Sequence, residues 1–96
     1  MITKKYSQDK KKCRVTFKIP ADIASEKVQL YGEFNDWVGQ KMTRQKSGFF
    51  SLSVTLSAGR KYQFRYLLDG DRWENDPKSD AYIPNPFGTE DSVLDI

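Results

Sequence analysis

Lys61-Tyr62-Gln63-Phe64-Arg65-Tyr66-Leu67-Leu68-Asp69-Gly70 is the stretch that decides the fold. Tyr62, Phe64, Tyr66 and Leu68 recur at every second residue while Lys61, Gln63, Arg65 and Leu67 fill the positions between, the period of a strand with one face on a core. The aromatic face is too apolar to stay in water. Asp69-Gly70 supplies the residue pair that best tolerates the positive φ angles of a tight hairpin turn, so the strand is expected to reverse there. Arg65, opposite in phase to Phe64 and Tyr66, is expected to point away from the core.

Working outward, Phe50, Leu52, Val54 and Leu56 alternate with Ser51, Ser53 and Thr55 between the turn signals Ser47-Gly48 and Ala58-Gly59. Val15, Phe17 and Ile19 alternate with Arg14, Thr16 and Lys18 until Pro20, which has no backbone donor to continue a ladder. Val28, Leu30 and Gly32 alternate with Lys27, Gln29 and Tyr31 and stop at the turn formers Asn35-Asp36. A short strand is expected near Lys41 to Arg44, and a last one over Ser92 to Ile96. Asp71 to Glu90 holds Pro77, Pro84, Pro86 and Gly88, which predicts a long ordered loop without continuous strand. Helical periodicity is nowhere sustained. The pattern is that of an all-β, antiparallel β-sandwich of about seven short strands.

The 96 residues, 38% hydrophobic and 30% charged, suffice for one core and leave no room for a second. The net charge of +3 conceals an asymmetry: Lys4, Lys5, Lys10, Lys11, Lys12 and Arg14 against Asp9 put +5 into the first 14 residues and leave −2 for the rest. Residues 1–12 read as a basic, flexible leader and 13–96 as the domain. No apolar run reaches the length of a membrane span, so no membrane partner and a cytoplasmic location are expected. The single cysteine, Cys13, has no disulfide partner and reads as a small apolar filler at a strand start, in keeping with a reducing compartment.

The chain contains no histidine, which excludes a Ser-His-Asp or Cys-His arrangement and any histidine-containing metal site. The carboxylates Asp69, Asp71, Glu74 and Asp76 match neither a glycosidase pair flanking a deep cleft nor a helix-loop-helix calcium site, and they read as turn-forming and solvated. The chain is therefore expected to be no enzyme, with no cofactor and no metal.

The order Phe34-Asn35-Asp36-Trp37, then Tyr62 to Gly70, then Trp73 followed by Asp76-Pro77, then Phe87-Gly88-Thr89 resembles carbohydrate-binding module family 48 over residues 13–96. These are the immunoglobulin-like early-set domains found at the N-terminus of isoamylases and glycogen branching enzymes and in the β subunit of the AMP-activated protein kinase. The resemblance implies that Trp37 and Trp73 flank a glucan, that Arg65 takes the place of a basic ligand-binding residue, and that Phe87, Thr89 and Asp91 complete a carbohydrate-binding site. The sequence departs from the pattern at two points. The turn from Asp69 to Trp73 is one residue longer, which is expected to re-aim Trp73, and Asp91 stands where an asparagine amide would donate.

Each residue also has a plainer reading: Trp37 sealing the end of the sandwich, Trp73 packed on Pro77, Arg65 paired with a carboxylate such as Asp71, Phe87 a core plug, Asn85 a turn residue. The leading expectation is a non-catalytic module for glycogen- or starch-type α-glucan. The alternative is an early-set domain that has lost sugar binding and docks onto a partner, a glycoside hydrolase family 13 type enzyme in trans or a kinase subunit. Nucleic acid is the disfavoured third, because the positive charge is concentrated in the leader.

Overall fold

The computed structural model describes residues 2–24 and 26–96. Among the described residues ten strands run in chain order: β1 (Ile2–Tyr6), β2 (Lys12–Ile19), β3 (Val28–Gly32), β4 (Gln40–Lys41), β5 (Thr43–Arg44), β6 (Phe50–Ser57), β7 (Lys61–Leu68), β8 (Arg72–Glu74), β9 (Ala81–Pro84) and β10 (Glu90–Asp95). They form two antiparallel sheets, one ordered β1-β2-β6-β5 and the other β4-β3-β7-β10-β9, with β8 on the free half of one edge of β7. No helix among the described residues is long and apolar enough to cross a membrane.

The core lies where the alternation of β2 and β7 meets. Val15, Phe17 and Ile19 face Leu30, Phe64, Tyr66 and Leu68, all buried. The Phe17 ring stands 5.2 Å from Phe64 at 65° and 6.4 Å from Tyr66 at 79°. Edge-to-face pairs of this kind add about 0.5–1.5 kcal/mol each beyond area burial. Cys13 is buried in the same cluster.

β7 organises the second sheet. Its one edge pairs with β3 from Gly32↔Phe64 to Val28↔Leu68, and its other edge is shared by β10 at Lys61 to Phe64 and β8 at Tyr66 to Leu68. The hairpin into β8 has φ of 53° at Asp69 and 77° at Gly70, with Asp71 N donating to Leu68 O at 3.2 Å. Two consecutive positive φ angles are what a type I′ turn requires, hence Asp-Gly. Asp71 is the extra residue before Leu68↔Arg72 pairing resumes.

Four expectations are corrected. The strands number ten among the described residues rather than about seven. The leader contains a strand: β1 pairs with β2 from Ile2↔Phe17 to Tyr6↔Cys13, and only Met1 of it lies outside the described residues. The ordering has a cause, since Lys4 Nζ reaches the Asp80 carboxylate at 2.7 Å and Asp95 O at 3.1 Å, tying the two sheets together. The strand expected near Lys41 to Arg44 is split, β4 pairing with β3 and β5 with β6, because Met42 turns inward, wholly buried, as the chain crosses between sheets. Finally, the expected loop over Asp71 to Glu90 contains β8 and β9. Pro84 is tolerated because β9 is an edge strand and one face of its ladder needs no donor.

Candidate functional site

The outer face of the second sheet collects the residues that strand alternation turns away from the core. Tyr31 of β3 lies directly opposite Arg65 of β7, and Leu67 of β7 directly opposite Trp73 of β8. Trp73 thus emerges on the Arg65 face despite its longer turn. Its ring meets the Tyr31 ring edge-on at 4.9 Å, and the Arg65 guanidinium carbon stands 5.5 Å from its centroid. Gly39 makes room for Tyr31, since a Cβ there would come within 2.6 Å of the phenol ring.

Trp37 is delivered by the segment after β3. Phe34 anchors it, with its ring 5.8 Å from Phe17 and 6.1 Å from Tyr62. Asn35 then staples the turn: its Oδ1 accepts from Gly32 N at 3.0 Å, and its Nδ2 donates to Leu30 O and Gln40 Oε1, both at 3.0 Å. Asp36 and Trp37 follow with φ of 55° and 59°, and Trp37 N donates to Gly32 O at 2.9 Å. A left-handed conformation is ordinary for Asp and strained for a bulky residue such as Trp. The backbone is bent out of its preferred region at the residue whose indole is left 41% exposed.

The third wall is the tip between β9 and β10. Asn85-Pro86-Phe87-Gly88 forms a turn in which Gly88 N donates to Asn85 O at 3.3 Å and Gly88 has φ of 81°. Pro at the second turn position and Gly at the fourth are favoured there. Asn85 Oδ1 accepts from Phe87 N at 3.0 Å and Thr89 N at 3.2 Å, while its Nδ2 donates to Thr89 Oγ1 at 2.8 Å and Asp91 Oδ1 at 3.0 Å. Phe87 is left 88% exposed at the apex.

These walls enclose a groove of about 710 Å³. Trp37, Arg65, Trp73, Phe87, Thr89 and Asp91 all line it, joined by Gln63, Asn85 and Pro86. Gln63 shares the outward phase of Arg65 and was legible by alternation. At the floor, Arg65 Nε lies 4.0 Å from Asp91 Oδ1 with no hydrogen bond, and its Nη1 reaches Thr89 Oγ1 only at 3.5 Å. A guanidinium carries five N–H donors, so most of its capacity is uncommitted within the protein. The arrangement offers apolar ring faces on the walls and a donor–acceptor pair between them, the usual make-up of a small-ligand site.

The plainer readings resolve residue by residue. Trp73, 46% exposed, packs against Tyr31 and Arg65, and the charge partner of Arg65 is Asp91 rather than Asp71. Phe87 is no core plug. Asn85 is a turn residue and more. The carboxylates from Asp69 to Asp76 lie outside the groove. Asp69 Oδ1 accepts from Glu26 N and Lys27 N at 2.7 and 3.1 Å. Asp76, expected to be solvated, is wholly buried and accepts from Tyr66 Oη at 2.7 Å and Lys78 N at 2.8 Å. Burial, and then the Asp76 charge, push the Tyr66 hydroxyl well above its ordinary value. Among the described residues no group of three His, Cys, Asp or Glu side chains is placed to hold a metal ion.

The family model of the glycogen recognition site of AMP-activated protein kinase matches residues 14–96. No curated protein sequence matches the chain. Among solved structures it is similar to the ferric enterobactin esterase of Salmonella typhimurium, at 15% identity and TM-score 0.77, over 99% of this chain and 34% of that one. It is likewise similar to the enterobactin esterase of Shigella flexneri, at 16% identity and TM-score 0.75, over 99% and 32%. The chain spans about a third of the length of these esterases, and at such identity the likeness speaks for the fold alone.

Proposed function

Because the chain belongs to the glycogen-recognition family of the AMP-activated protein kinase, we propose that the groove between Trp37, Trp73 and Phe87 binds an α-glucan chain without chemically altering it. The observation that carries this reading is the convergence of two half-exposed indoles on one groove whose floor holds Arg65, Thr89 and Asp91. Glucose presents apolar C–H faces bounded by a rim of hydroxyls. Flat indoles match the faces, and a cation beside a carboxylate matches the rim, donating to one hydroxyl and accepting from another.

By analogy with bases stacked on aromatic side chains, each indole contributes about 1–3 kcal/mol. Two such contacts together with hydrogen bonds to the floor place the site in the millimolar to micromolar range, about −4 to −8 kcal/mol. A branched polymer presenting many chains raises the apparent affinity by multivalency. Titration with maltoheptaose, followed by tryptophan fluorescence, tests the reading. A saturable change in wild type that is lost in Trp73→Ala is expected, and no saturable change at millimolar sugar overturns it.

The exposed Phe87 at the apex also favours a second reading, docking of this rim onto a glycoside hydrolase family 13 type enzyme in trans or a kinase subunit. Retention on starch distinguishes the two, since docking alone predicts none. Nucleic acid remains disfavoured, now for a different reason. The outward cations of β1 and β2, Lys5, Lys12 and Arg14, lie on the first sheet, whereas the aromatic groove lies on the outer face of the second. The basic cluster and the aromatic groove are therefore not offered to one strand of nucleic acid together.

A further inference from the structure

The Asn85 side chain hydrogen-bonds three other residues of the groove at once. Its Oδ1 accepts from the backbone of Phe87 and Thr89, and its Nδ2 donates to Thr89 Oγ1 and Asp91 Oδ1. The chemistry required at this position is narrow. Two amide N–H groups need an acceptor, and a carboxylate 3.0 Å away needs a donor. Only a carboxamide of this length supplies both. Aspartate would satisfy the N–H groups but set a second negative charge against Asp91, and alanine would satisfy neither.

We infer that Asn85 is the positioning residue of the groove: it holds the Phe87 apex and the Thr89 hydroxyl in a pre-formed geometry and orients Asp91 so that Asp91 meets a ligand as an acceptor only. The inference rests on the reading of the groove as a glucan site. Both amide protons of Asn85 are committed, one to Thr89 Oγ1 and one to Asp91 Oδ1, and no hydrogen bond is made to Asp91 Oδ2 among the described residues. The donor an asparagine would have offered at position 91 thus has no replacement from Asn85. The ligand must donate to Asp91 while accepting from Arg65, whose guanidinium lies beside it.

The test compares wild type, Asn85→Ala and Asn85→Asp in maltoheptaose titrations at about pH 7.5 and about pH 4.5, with amide hydrogen exchange at Phe87 and Thr89 measured without ligand. Asp91 and Arg65 are the charged groups facing the new carboxyl, from β10 and β7. Asn85→Ala is expected to bind at least about tenfold more weakly, because the loop must be ordered on binding, and to exchange Phe87 and Thr89 amides faster. Asn85→Asp keeps the acceptor and so keeps slow exchange, loses binding at the higher pH, where the new carboxylate stands against Asp91, and regains it relative to wild type at the lower, as the new carboxyl takes up a proton. Wild-type-like affinity in either variant at the higher pH, or a loss in Asn85→Asp that ignores pH, overturns the inference. If wild type itself fails to bind, the functional reading falls, and unchanged exchange in Asn85→Ala would refute the positioning role separately.

Discussion

Replacing Trp37 by glycine should leave the protein more stable than replacing it by alanine, the reverse of the usual order. In most backbone positions glycine is the less stable of the two by about 0.5–1 kcal/mol, because the unfolded chain gains freedom. At position 37, with φ of 59°, alanine retains the clash between Cβ and the carbonyl oxygen that the left-handed region imposes, whereas glycine does not. That clash is worth about 1–2 kcal/mol, so after the entropy difference glycine comes out ahead by about 1 kcal/mol. Both variants lose the same indole, so burial and packing losses cancel in the comparison and the backbone is isolated. Urea unfolding with equal m-values reads the difference directly, and a thermal melt should show it as about 4–8 °C. Glucan affinity should fall in both by a similar factor, about 5–150-fold for one lost stacking contact. Alanine as stable as glycine would refute the claim that strain is carried at the displayed residue. A glycine variant that bound as wild type would refute the role of the indole.

Tyr66→Phe should cost about 1.5–3 kcal/mol at neutral pH through the lost hydrogen bond to buried Asp76, and should change the alkaline limb of the stability profile. Because the folded hydroxyl is held above its ordinary value, its contribution is fully present below about pH 10 and is lost as pH rises above that, so wild type weakens there while the variant has no such slope from this residue. Asp80→Asn tests the acid side. Burial raises the Asp80 carboxyl, but the Asp95 N–H and the Lys4 ammonium outweigh it and leave the group below the ordinary carboxylate value. Its stabilisation is present above that ordinary value and disappears as pH falls through the lowered one, so melting temperatures of the variant should decline less between about pH 5 and about pH 3. Maltoheptaose affinity should stay within about twofold between about 50 and about 500 mM NaCl, since the ligand is neutral and the basic face of β1 and β2 takes no part. A steep salt slope would point to that face instead.

What could be read in the chain beforehand was local. The phase of β7, the Asp69-Gly70 reversal and the Phe34 to Trp37 segment each depend on interactions within a few residues, where dihedral preference and alternation speak directly. β1 escaped because the consecutive Lys4 and Lys5 look like solvent-exposed tail, and only Asp80, just before β9, and Asp95, in β10, show that Lys4 has partners. Asp76 escaped for the same reason. A carboxylate among prolines and aspartates reads as a loop residue until β7 brings the Tyr66 hydroxyl to it.

Arg65 shows why the site is harder to read than the fold. Alternation turns it outward, but which carboxylate it meets depends on which strand lies beside β7. Asp71 is six residues away along the chain, yet the turn carries it outside the groove, while β10 returns from the far end to lay Asp91 alongside. The choice between them is made by the pairing Ser92↔Phe64, hence by the core face of both strands, which no ligand touches. The same pairing explains how a carboxylate can sit nearly buried at position 91. It has the guanidinium on one side and the Asn85 amide on the other, so its charge is met before any sugar arrives. A groove of this kind can tolerate an aspartate in place of an asparagine only if a neighbour supplies a donor to it. Asn85, set in place by the Pro86 to Gly88 turn, is that neighbour.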